Sequence, residues 1–180
     1  MDKRKAASQK VKDRLLSALL EFAGHKDWST LTVTELIEKS GVARASFYRN
    51  FRSVEDIIEY GIHKMSLCYH EGKPFPNEDF HSREVMLYKF RFYKEYAGLV
   101  LAFHHAKVAT TLLDVITDCE IDACGDMPVS SITRYEIYYF SGAFYNMMLC
   151  WLESGMKESP EDMADEFLRI TKNETISETK

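Results

Sequence analysis

Arg44, Tyr48, Arg49 and Asn50 lie close together in the stretch GVARASFYRNF, which runs from Gly41 to Phe51. Side chains of these types suit recognition of phosphates and base edges. A guanidinium pairs with a phosphate or with the acceptor edge of guanine, and a phenol hydroxyl donates to a phosphate oxygen. Ala45 and Ser46 between them are small enough for close approach. Val42, Phe47 and Phe51 in the same stretch are large and apolar, so one short helix has to serve a core and an outer surface at once. Other constellations carry less. Glu21 with His25 and Glu59 with His63 stand at i, i+4, but neither has a second such pair, and ordinary pairing on a helix surface accounts for both. Cys119 and Cys124 invite a redox switch, yet Glu120, Asp122 and Asp126 place negative charge where a reactive thiolate needs positive. There is no Gly-rich phosphate loop, GxSxG elbow or HExxH. No cofactor, metal site or enzymatic activity is expected.

The elements that must position these residues read as helices. Few prolines and glycines, few β-branched runs and several long segments of 3.6-residue period point to an all-α protein. A first helix is expected over about Ser8 to Lys26, burying Val11, Leu15, Ala18, Leu19 and Phe22. Thr32 followed by Glu35 forms a capping-box pattern, so a second helix starts just after Thr32. Gly41 suits the left-handed conformation that ends it, and a third helix runs from about Ala43 to Asn50. Ser53, Glu55 and Asp56 open a longer fourth helix. The Gly/Pro-rich GKPFPNEDFHS then marks a boundary between subdomains. Further helices are expected over about 82–96, 98–119, 131–154 and 160–172, with a loop through ACGDMPVSS and a frayed NETISETK. This gives a domain of residues 1–52, a connecting helix of about 53–71 and a second domain of 73–180.

Charge divides along the same line. The 180 residues carry a net charge of -5, but residues 1–52 hold 11 Lys+Arg against 6 Asp+Glu, and residues 53–180 hold 12 against 22. The basic end is where an anionic partner docks. Cysteines without a CxxC pair, no apolar leader and no apolar run long enough to span a bilayer fit a cytoplasmic protein with no membrane partner.

Two short helices joined at Gly41 have the dimensions of a helix-turn-helix, whose second helix enters the DNA major groove. At this point LTVTELIEKSGVARASFYRNFRSVEDII resembles the TetR/AcrR family of bacterial repressors, over roughly residues 8–62. The resemblance implies a three-helix DNA-binding domain followed by a helical ligand-binding and dimerisation domain. It also implies DNA contacts at Thr32, Thr34, Arg44, Ala45, Ser46, Tyr48, Arg49 and Asn50. Ala43 stands where the family commonly has a capping Ser or Thr, and Val54 where it usually has a lysine. Arg52, or Lys3, Arg4 and Lys5 of the arm, are the candidates to replace that cation. On this reading the protein is a homodimeric repressor of a palindromic, double-stranded operator, released by a small inducer.

The second half resembles the family more loosely, in YEIYYFSGAFYNMMLCWLESGMKESPEDMADEFLRI. There Phe140, Ala143, Phe144, Met148 and Trp151, with Met163 and Phe167, are the candidate dimer contacts, unless their stripe fills the core of its own subunit. Phe92, Tyr96, Phe103, Tyr139 and Tyr145 are candidates to bound a pocket for a compact apolar or aromatic ligand, because clustered phenols need hydrogen-bond partners; plain core packing is the alternative. Two further readings fit the residues. One is DNA binding without a pocket, controlled by a protein partner or by abundance. The other is a helical binding or enzymatic protein whose basic N-terminus is incidental.

Overall fold

The computed structural model describes residues 3–22, 26, 30–75, 79–105, 109–124 and 132–172, and these are helical with no strand among them. The helices are α1 Lys3–Glu21, α2 Val33–Ser40, α3 Arg44–Asn50, α4 Val54–Gly72, α5 Arg83–Glu95, α6 Ala97–His105, α7 Ala109–Cys124, α8 Ile132–Glu153 and α9 Pro160–Thr171. The chain forms two units: residues 1–67 with 98–109, and residues 68–97 with 110–180.

In the first unit α1 packs on α2 and α3. Its buried residues are Leu15, Leu16, Ala18 and Leu19, while Val11 and Phe22 are only half-buried. The helix starts at Lys3, earlier than Ser8, because Lys, Arg and Ala are good helix formers and nothing in Lys3–Ala7 stops the helix. Ser8 does not cap it; its hydroxyl bonds Asn50 instead. Thr32 caps α2 with the expected box: its hydroxyl accepts from the Glu35 N–H at 3.3 Å, and the Glu35 carboxylate accepts from the Thr32 N–H at 2.9 Å. Lys26 first, then the backbone and hydroxyl of Thr32, hold the Glu35 carboxyl down to about 2. The box is therefore fully present above the ordinary glutamate range and is lost only as pH falls toward 2. Gly41 closes α2 at φ 61°, a left-handed position that a side chain would strain.

The helix expected over about 98–119 is helical at 98–105 and 109–119, in α6 and α7, with residues 106–108 outside the described residues, and residues 98–109 cluster with the first unit. Gly61 of α4 explains the clustering. A Cβ there would meet Leu16 Cδ1 at 2.8 Å and Phe103 Cζ at 2.9 Å, so the glycine is what lets α1 and α6 close on α4.

In the second unit α5 packs on α9 and α8. Ser82 caps α5, and Ser159 with Asp162 forms a capping box on α9, whose first residue is Pro160. The end of α8 is a Schellman turn: the Met156 N–H reaches the Trp151 carbonyl at 2.9 Å, the Gly155 N–H reaches Leu152 at 3.2 Å, and Gly155 takes φ 88°. Trp151 is buried, and its indole N–H donates to the Glu158 carbonyl at 3.1 Å. Deep in this unit Lys89 of α5 pairs with Glu120 of α7, each side chain 3% exposed, and the Lys89 ammonium lies 4.7 Å from the Phe80 ring centre. His25, residues 125–131 of the expected loop, the side chains of Cys119 and Cys124, and NETISETK all lie outside the described residues.

Candidate nucleic-acid interface

The recognition helix separates its two tasks by rotation. Phe47 is fully buried and Phe51 nearly so, while Arg44, Ala45, Tyr48 and Arg49 are exposed. Ser46 and Asn50 are half-buried along its edge. Tyr48 stays 54% exposed while the edge of its ring meets Phe47, with centroids 5.1 Å apart at 85°. Ala43 caps the helix from an extended conformation with no side-chain bond, as its lack of a hydroxyl requires. Thr34, on the start of α2, is exposed, and its hydroxyl accepts from Arg44 Nη2 at 2.8 Å. That bond ties the guanidinium to the neighbouring helix and aims it. Thr32 is exposed too, but its hydroxyl proton already goes to Glu35 at 2.8 Å.

Val54 is buried in the first unit, so the position at which the resemblance expects a lysine contributes packing, not charge. Arg52 beside it is exposed. The residues that sequence reasoning passed over lie on α1. The Ser8 hydroxyl donates to Asn50 Oδ1, and Asn50 Nδ2 donates to the Ser46 carbonyl at 2.7 Å, so α1 sets how the end of the recognition helix is presented. Further along α1, the Asp13 carboxylate accepts from the Tyr60 hydroxyl at 2.9 Å and from Lys64 Nζ at 2.7 Å. Burial works to raise the Asp13 carboxyl, but the bonds from Lys64, Tyr60 and Gln9 outweigh it and hold it below its ordinary value. Lys12 covers the Phe51 and Tyr60 rings at 5.7 and 5.4 Å. No sequence spacing announces partners so far apart along the chain.

The candidate ligand residues are divided between the two units. Phe92 and Tyr96 stack at 4.5 Å and, with Tyr88, border a cleft of about 390 Å³ beside the end of α4, together with Cys68, Arg91 and Glu95. A hydrogen bond with Cys68, before burial, pushes the Tyr96 phenol up to about 12. Phe103 belongs to the first unit, and Tyr139 is 62% exposed on α8. Tyr145 is buried, and its hydroxyl has no hydrogen-bond partner among the described residues. The candidate dimer residues are also placed differently. Phe140, Phe144, Met148, Trp151, Met163 and Phe167 are buried within one chain, and Ala143 is half-buried. Periodicity identifies a shared face of α8 without saying what that face meets, and here it meets α5 and α9. The exposed side of α8 carries Tyr135, Tyr138 and Tyr139, open space above Gly142, then Asn146 and Cys150. Among the described residues no group of His, Cys, Asp or Glu is placed to hold a metal, and no helix is long and apolar enough to cross a membrane.

Comparison with known proteins agrees with this architecture. Residues 15–60 match the family described as "Bacterial regulatory proteins, tetR family", and residues 82–173 match a TetR family described as "Transcriptional regulator C-terminal region". The fold is similar to the crystal structure of a TetR transcriptional regulator from Streptococcus agalactiae 2603V. The TM-score is 0.64 at 16% identity, covering 93% of this chain and 96% of that one. None of the curated proteins matches the chain.

Proposed function

The chain belongs to the TetR family of DNA-binding transcriptional regulators, and from that premise we propose that it is a repressor that binds a palindromic operator as a homodimer. One observation carries the reading: α3 buries its apolar residues and turns Arg44, Tyr48 and Arg49 outward together. Selecting bound duplexes from a random pool tests it, with a palindrome as the expected product. On that duplex Tyr48→Ala and Arg49→Ala lose affinity while keeping the wild-type melting temperature, and Arg49→Ala also lowers the salt slope by about one per bound protomer. Variants with wild-type affinity and slope would place the DNA face elsewhere.

The dimer forms through the side of α8 that its own subunit leaves open, around Tyr135, Tyr139 and Gly142. Gly142→Arg is expected to give a folded monomer by light scattering, because it adds bulk and charge outside the subunit core. Operator affinity then falls by roughly two to four orders of magnitude, since two linked half-sites gain by effective concentration. An unchanged dimer moves the interface.

Release follows if a compact aromatic ligand binds better to a form whose recognition helices no longer match successive major grooves. The cleft beside Phe92 and Tyr96 is the place for it. The exposure of Tyr139 favours a second reading, in which a protein partner or abundance controls occupancy. Metabolite screening for operator release separates the two.

A further inference from the structure

In the second unit the buried hydroxyls of Ser141 and Tyr145 have no hydrogen-bond partner among the described residues. Ser141 is 0% exposed and Tyr145 6%. A hydroxyl that gives up water and finds no substitute costs stability, so each calls for a partner. Ser141 has one within reach that it does not take. A hydroxyl in mid-helix can donate to the carbonyl four residues back. Thr117 does so to Leu113 at 2.8 Å and Thr171 to Phe167 at 2.9 Å. The Ser141 hydroxyl makes no such bond to Ile137 and stays available as a donor.

The two residues stand four apart on α8, one above the other on one side of the helix. A long side chain on a helix leans toward the N-terminus, which carries the Tyr145 ring over the turn that holds Ser141. Leu149 and Leu152 continue that side as buried apolar surface. A Cβ on Gly142 would meet nothing within 4 Å, so the flank of α8 beside Tyr145 is open. Charge decides which kind of molecule fits. Burial first, then the charge of Glu153, pushes the Tyr145 phenol above its ordinary value, so negative charge is unwelcome here. A cation would exchange its hydration for two neutral hydroxyls, which do not repay the loss. Two O–H donors one turn apart suit an oxygen with two lone pairs on an uncharged, apolar body.

We propose that Ser141 and Tyr145 bind the carbonyl oxygen of an uncharged, largely apolar ligand, each donating one hydrogen bond to it. The site uses none of the residues of the cleft beside Phe92 and Tyr96. Its test reads binding alone, so it stands or falls separately from operator release.

The full-length protein is titrated by saturation-transfer NMR with acetophenone and benzophenone, with ethylbenzene and diphenylmethane as hydrocarbons of matching shape, and with benzoate as the anion. Each ketone is expected to bind about tenfold more tightly than its hydrocarbon, and benzoate more weakly than acetophenone. Ser141→Ala and Tyr145→Phe each lower ketone affinity by roughly fivefold to tenfold and leave the hydrocarbons unaffected. Without ligand, both variants melt at or above the wild-type temperature, because the change deletes a hydroxyl that bonds nothing. A merely structural role for either hydroxyl would lower the melting temperature instead. Variants that melt several degrees below the wild type would show the hydroxyls already satisfied, by an internal water for example, and overturn the proposal. So would a wild-type protein that binds ketone and hydrocarbon equally, or binds neither.

Discussion

Phe47→Ala is expected to destabilise the first unit by about 3–5 kcal/mol, the cost of removing an aromatic ring from a closed core. The ring is fully buried, with Tyr48 at 5.1 Å and Phe51 at 6.4 Å between centroids. In a unit of this size the loss corresponds to a fall of roughly 12–40 °C in melting temperature. Operator binding disappears with it, because α3 has no other fully buried anchor. Phe47→Leu keeps most of the volume and most of the stability. Thermal melts of both variants beside Tyr48→Ala make the comparison internal: adjacent aromatics, one fully buried and one exposed. Equal melting temperatures for Phe47→Ala and the wild type would mean that the helix is rotated from its described position.

Lys89→Met is expected to cost the second unit about 3–5 kcal/mol at neutral pH, although methionine fits the space, because it strands the buried carboxylate of Glu120 without its ion-pair partner. The sign of the pH effect follows from the acid left behind. A carboxyl confined without a cation has its pKa raised in the folded state, so the penalty applies above the ordinary carboxylate range and is relieved as pH falls and the acid takes up a proton. The variant should therefore become more stable relative to the wild type on acidification. Lys89→Met/Glu120→Leu removes both charges and restores most of the stability at pH 7, as apolar replacements of buried ion pairs commonly do. Denaturant titrations at two pH values check all three. A Lys89→Met variant with wild-type stability at neutral pH overturns the account.

Much of the first unit was legible because its signals are local. Thr32 with Glu35, and Gly41, act through bonds and backbone angles confined to a few residues, and α2 begins and ends where they predict. Ser159 and Pro160 do the same for α9. On α3, helical spacing was enough to send Phe47 inward and Tyr48 and Arg49 outward. The second unit was less legible, since α8 is apolar on more than one side over its 22 residues. Phe144 and Tyr139 are both plausible contacts by pattern, yet one packs against Phe90 at 5.1 Å and the other is exposed.

By itself the sequence determined the helices, the caps of α2 and α9, the turn at Gly41 and which side chains of α3 turn outward, because each depends on the chemistry of neighbours within a turn or two. Only the tertiary structure decided that Ser8 holds Asn50, that Gly61 admits Leu16 and Phe103, that Val54 is core, and that Lys89 meets Glu120. Those pairings join residues far apart in the chain. They arise when packed helices exclude water and leave each buried polar group to find whatever partner the opposite helix presents.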